Sequence, residues 1–222
     1  VRGVTAPGVK FCGLTRVEDA REAARLGAAY VGAVLVPGTP RAVSPERARA
    51  LGEAAGLPLV LVLVDPTPAE ARDAASRAGA AVLQLHGGED PQQVRSLREE
   101  GPWKVWKGVP VRDRAEALDA VRRFGPVVDG LLLDGWHPSL RGGAGVSFPW
   151  REVAEARGEI PSGVLFIAAG GLTPENVGEA ASVLRPHVVD VSSGVESAPG
   201  LKDARRMKAF VEATRLPASV DP

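Results

Sequence analysis

The chain has 222 residues, 45% hydrophobic and 24% charged, the balance of a folded globular protein rather than a disordered one. Lys plus Arg equals Asp plus Glu at 27 each, so no net charge draws the chain to nucleic acid or to an anionic membrane surface. No run approaches the ~18 apolar residues of a membrane span. The first residues lack the apolar stretch of a secretory signal, and the one cysteine, Cys12, has no partner for an internal disulfide. A reducing cytoplasm is the expected setting.

Along the chain one local grammar repeats: a short β-branched run, a loop, a capped helix, then a glycine. The first strand is predicted at 9–12, followed by a helix that Thr15 and Glu18 start as a capping box and that ends near Gly27. A second strand is predicted at 30–36. Ser44-Pro45 then places a cap and a first-turn proline on a helix stopping at Gly56. The third strand, 59–64, leads to a helix opened by Thr67-Pro68 with Glu70 and closed by Gly79. The fourth, 82–85, leads to Asp90-Pro91 and a helix to Gly101, and the fifth, 103–109, to a helix through Arg123. After the sixth strand, 130–134, a long glycine-rich loop runs over 135–146 to a short helix at 150–156. The seventh strand, 164–168, precedes a helix capped by Thr173-Pro174; the eighth, 188–191, precedes a last helix over 201–214. Residues 216–222 read as a frayed tail.

These strands are apolar at consecutive positions, as strands covered on both faces are. Eight βα units leave a closed barrel or an open doubly wound sheet. The open sheet normally carries a glycine fingerprint after its first strand, whereas Gly13-Leu14-Thr15 follows here. The predicted fold is therefore a single (β/α)₈ TIM barrel over 1–222. Its chemistry belongs at the C-terminal strand ends, which are Cys12, Arg41, Asp65, His86, Asp134, Gly170-Gly171 and Ser192-Ser193-Gly194. The glycines and serines after strands seven and eight offer backbone N–H groups with little side-chain obstruction, a common phosphate cradle in such barrels.

At these positions the chain resembles the phosphoribosylanthranilate isomerase family in six separated stretches. They are Lys10-Phe11-Cys12-Gly13-Leu14-Thr15, Pro40-Arg41-Ala42-Val43, and Leu83-Gln84-Leu85-His86-Gly87. Then come Leu132-Leu133-Asp134 with Gly142-Gly143-Ala144-Gly145, and Ala169-Gly170-Gly171-Leu172-Thr173-Pro174-Glu175-Asn176-Val177. The last is Val189-Asp190-Val191-Ser192-Ser193-Gly194-Val195-Glu196, with Pro199-Gly200 and Lys202-Asp203 beyond it.

The resemblance implies an Amadori rearrangement in tryptophan biosynthesis, acting on a phosphorylated small molecule without metal, nucleotide or redox cofactor. The implied base is Cys12 and the implied acid Asp134, three strands apart by way of the eighth and seventh. Arg41 is implied to meet the anthranilate by pairing its carboxylate or stacking on its ring, and His86 to stand near the substrate. Asp190, within the eighth strand, orients ligand or loop, or forms an ion pair inside the barrel. Gly142 to Gly145 read as the hinge of a mobile loop, Asp65 has no assigned role, and monomer and homodimer both stay open. Rival phosphate-binding barrels fit less well. A metal-dependent epimerase needs a His–carboxylate cluster, yet of His86, His137 and His187 only one ends a strand. An indoleglycerol-phosphate synthase needs a lysine pair, of which Lys107 is only a start, and a non-catalytic phosphosugar binder has no use for Cys12 facing Asp134.

Overall fold

The computed structural model describes residues 6–135 and 150–215. The glycine-rich loop, His137 and the C-terminal tail lie outside the described residues. Eight parallel strands close into a barrel in chain order, β1 pairing with β8. They are β1 (Gly8–Phe11), β2 (Tyr30–Val34), β3 (Leu59–Leu63), β4 (Val82–Leu85), β5 (Lys104–Val111), β6 (Gly130–Gly135), β7 (Leu165–Ala169) and β8 (Val188–Val191). The helices α1 (Val17–Arg25), α2 (Pro45–Ala55), α3 (Pro68–Ala78), α4 (Pro91–Glu99), α5 (Arg114–Phe124), α6 (Trp150–Ala154), α7 (Val177–Leu184) and α8 (Ala204–Arg215) complete the (β/α)₈ architecture. Among the described residues no helix is long and apolar enough to cross a membrane.

The unbroken apolar runs in the strands are explained by two separate cores. Outward positions such as Phe11, Val31, Leu61, Leu83, Leu131 and Phe166 pack under the helices. Inward positions such as Val60, Val82, Trp106, Leu132, Ile167 and Val188 fill the barrel itself. Because side chains alternate along a strand, each strand serves both cores. Glycines at inward positions make room for large neighbours: a Cβ on Gly130 would lie 2.5 Å from the Trp106 ring.

Most caps follow the sequence. Ser44 accepts the Arg47 N–H, and Thr67 with Glu70 and Asp90 with Gln93 form capping boxes. Gly56 and Gly79 end α2 and α3 in the left-handed conformation.

Three local expectations need correction. Thr15 and Glu18 form no capping box, because α1 begins after Arg16 and the Thr15 hydroxyl donates to the Gly200 carbonyl instead (2.6 Å). Thr173 organises a turn before α7: its N–H and carbonyl bond Asn176 and Val177, and the helix starts only at Val177. The last helix does not start at 201. Leu201–Lys202 (β10) pairs antiparallel with Glu196–Ala198 (β9), and the Asp203 carboxylate takes the N–H groups of Arg205 and Arg206 at the start of α8.

Candidate active site

Cys12 stands one residue past β1, its N–H held by the Val191 carbonyl (2.8 Å). Two residues earlier on the same inward face is Lys10, fully buried, with Nζ 2.9 and 3.0 Å from the two oxygens of Asp190 on β8. The register sets Lys10 directly beside Asp190, and Gly32 on β2 leaves space for the ammonium. Burial pushes the Cys12 thiol above its ordinary range; Lys10 pulls it down and Asp190 pushes it up. Burial alone would lower the Lys10 ammonium, but Asp190 and Cys12 outweigh it and hold Lys10 charged.

Asp134 sits near the end of β6, its side chain one-third exposed. His86, just past β4, brings Nε2 to 3.3 Å from Asp134 Oδ2. On its other side the ring meets the amide of the buried Gln84.

Between these two centres lie the loops after β7 and β8. Gly170 and Gly171 both have positive φ, which a residue with a Cβ rarely adopts. At Gly194 the backbones touch: a Cβ there would fall 1.8 Å from the Leu172 carbonyl oxygen. Lys202 braces the second loop by donating to the Ser192 carbonyl (3.0 Å) and pairing with Glu196 (2.9 Å).

One cavity of about 390 Å³ is lined by Cys12, His86, Asp134, Asp190, Gly170, Gly171, Ser192, Ser193 and Gly194. Arg41 does not line it. Its guanidinium forks onto Glu196 at 2.8 and 2.6 Å, a bidentate pair in which the chain itself supplies the carboxylate. Gly13, next to Cys12, lets Arg41 pass close, since a Cβ there would be 2.6 Å from Arg41 Cδ.

Four residues of this region received no role from the sequence: Lys10, Gln84, Glu196 and Lys202. The first two left a trace, because each lies two positions before a strand-end residue and therefore on its inward face. A lysine or glutamine there has to be used or paired. Glu196 and Lys202 left none, since the β9–β10 hairpin alone carries them back to the mouth. Asp65 and Lys107 fall outside the cavity. Asp65, at φ +47°, accepts the Gly88 N–H (2.6 Å) and donates its own to Glu89, which pairs with the buried Lys107 (3.1 Å). This polar knot ties the loops after β3 and β4 to the middle of β5.

The profile of the N-(5'phosphoribosyl)anthranilate (PRA) isomerase family matches residues 9–213. The chain belongs to this family. The N-(5'-phosphoribosyl)anthranilate isomerase of Paramagnetospirillum magneticum is 43% identical over 213 residues, covering 93% of this chain and 96% of the relative. The crystal structure of phosphoribosyl anthranilate isomerase from Thermotoga maritima is similar at a TM-score of 0.83 and 36% identity, with 94% and 98% coverage. A phosphoribosyl anthranilate isomerase solved in complex with reduced 1-(o-carboxyphenylamino)-1-deoxyribulose 5-phosphate is similar at a TM-score of 0.80 and 34% identity, again with 94% and 98% coverage. Within the phosphoribosylanthranilate isomerase family, as in other barrels of this type, the C-terminal strand ends are where a site is expected, and the cavity opens there.

Proposed function

We propose that this chain is the phosphoribosylanthranilate isomerase of tryptophan biosynthesis, an aldose–ketose isomerase working by general acid and base catalysis. The observation that carries the reading is the single cavity holding Cys12 and Asp134 on either side of the glycine and serine loops of β7 and β8. A substrate phosphate in those loops would set the ribose between the thiol and the carboxyl.

The steps then assign themselves by chemistry. Asp134 gives its proton to the furanose oxygen as the C1'–O bond breaks, and the anilino nitrogen's lone pair forms a protonated imine that carries the positive charge. The Cys12 thiolate removes the C2' proton, and that electron pair moves through C1' to neutralise the imine nitrogen. The resulting enolamine tautomerises to the aminoketose, 1-(2-carboxyphenylamino)-1-deoxyribulose 5-phosphate. Arg41, held by Glu196 and packed close to Gly13 beside Cys12, is the residue proposed to meet the anthranilate, by stacking on its ring or by exchanging Glu196 for its carboxylate.

The test is a fluorescence assay for loss of phosphoribosylanthranilate with the purified protein, repeated on Asp134→Asn. Asparagine keeps the shape of the acid but has no acidic proton. The variant should bind a reduced product analogue nearly as the wild type does and lose turnover by a factor on the order of 10²–10⁴. Absence of turnover by the wild-type chain overturns the activity; turnover at saturation that survives in Asp134→Asn assigns the acid elsewhere.

A further inference from the structure

Gln84 on β4 and His86 just beyond it point into the barrel together, two residues apart on one face. Gln84 is 1% exposed, and its Nε2 lies 3.1 Å from His86 Nδ1. The ring reaches across β5 to Asp134 on β6, and it can do so because the inward residue of β5 at that height is Gly108. A Cβ there would lie 2.4 Å from His86 Nδ1. The chain Gln84–His86–Asp134 therefore spans three strands and ends on the carboxyl proposed as the acid.

We infer that His86 is a positioning residue. Gln84 holds it in the neutral Nε2–H form, and that N–H engages Asp134 Oδ2, which leaves the acid's proton on Oδ1. The inference rests on the reading of Asp134 as the general acid.

An amide nitrogen only donates, so the ring nitrogen facing it carries a lone pair, and the single proton of a neutral imidazole stays on Nε2. The reversed amide would bury two N–H donors without acceptors. The present one pairs one of those N–H groups with His86 Nδ1 and turns the Oε1 acceptor to the unpaired side, where a carbonyl oxygen is tolerated better than an N–H. Nε2 then stands 3.3 Å from Oδ2, within reach of a bond of the kind that catalytic contacts commonly tighten when substrate binds. The other oxygen, Oδ1, lies 2.6 Å from where a Cβ on Gly170 would stand, at the start of the β7 loop. With Oδ2 taken by His86, Oδ1 beside the start of the β7 loop is left to carry the acid proton. As that proton leaves, the His86 bond becomes a bond to an anion and strengthens, so it favours the transition state over the ground state.

The experiment combines kinetics with ¹⁵N NMR of histidine-labelled protein. The His86 signal, assigned by its loss in His86→Gln, should show a protonated Nε2 and a lone pair on Nδ1, and Gln84→Leu should abolish that preference. His86→Ala should lower kcat about ten- to a hundredfold with KM within about twofold, the signature of a contact made in the transition state. His86→Gln, whose amide N–H falls near the place of Nε2, should restore most of the loss. A wild-type His86 protonated on Nδ1, or a His86→Ala effect confined to KM, overturns the inference. Should His86→Ala fail to fold, the tautomer and the His86→Gln rate still decide. An inactive Asp134→Asn beside a fully active His86→Ala overturns the positioning role alone, whereas an active Asp134→Asn overturns the acid reading beneath it.

Discussion

A thiol in an apolar barrel is a poor base until something favours its ionised form. At Cys12 burial pushes the thiol up, and the Lys10 ammonium is the first opposing influence. If the thiolate removes the C2' proton, Cys12→Ala should cut turnover by a factor on the order of 10²–10⁴ while the protein stays folded. The acid-side limb of kcat/KM against pH should then follow the ionisation of this thiol. Removing the cation makes ionisation harder, so Lys10→Met should move that limb to higher pH. Removing the anion beside it frees Lys10 to face the sulfur, so Asp190→Asn should move the limb to lower pH. Opposite displacements are the signature; a limb that stays in place, or moves one way in both variants, belongs to another group. The position of Cys12 was legible because a strand end beside a glycine is a recognisable place. The Lys10–Asp190 pair was legible only as one of two options for Asp190, since which inward residues touch depends on how β1 and β8 are staggered.

The contrast between α1 and α3 shows how far a local motif can be trusted. Both helices are preceded by a threonine with a glutamate three residues on, yet only Thr67 and Glu70 satisfy one another's backbone. Thr15 is drawn away by the Gly200 carbonyl, 185 residues distant in sequence. Thr67→Ala should therefore cost about 1 kcal/mol of stability, measured by denaturant unfolding, with kcat unchanged. Glu18→Ala, at an exposed position with no box to break, should stay within about 0.5 kcal/mol of wild type. Equal losses in the two variants would mean that α1 is capped after all. The same long-range reach explains the β9–β10 hairpin, where the sequence read as the start of a helix. Its residues pair because the loop after β8 turns back over the barrel mouth, delivering Glu196 to Arg41 and Lys202 to the Ser192 carbonyl.

Among the described residues, the buried charged side chains are all tied off in pairs, some at the cavity and some away from it. Glu89 and Lys107 lie away from the cavity, with side chains about 3% exposed and Lys107 also donating to the Gly87 and Gly108 carbonyls. Taking away one partner strands a buried charge, so Glu89→Ala should lower the free energy of unfolding by about 3–5 kcal/mol. Turnover per folded molecule should change little, because the pair lies outside the cavity; near-wild-type stability would show that the knot holds nothing together. The two loops that meet at Gly194 and Leu172 behave in the opposite way, as backbone turned toward the cavity. Inorganic phosphate should compete with substrate there, and a crystal grown in phosphate or sulfate should hold the anion against Gly171 and Ser193. Non-competitive inhibition together with an empty loop would end that assignment.

What the sequence determined by itself was most of what depends on neighbours within a few residues. The βα repeat came from hydrophobic runs and breaks, three of the caps from Ser44, Thr67 and Asp90, and the strand-end positions of Cys12, Asp134 and the glycine and serine loops from the order of the units. These features are set by backbone geometry and short-range hydrogen bonding, and distance along the chain measures them well. Tertiary structure alone decided which inward residues touch. The closure of β1 on β8 pairs Lys10 with Asp190, Gly108 lets His86 reach from β4 to Asp134 on β6, and the hairpin gives Arg41 its carboxylate. Those contacts join residues far apart in sequence through the stagger and curvature of a closed sheet, and no local pattern encodes that stagger.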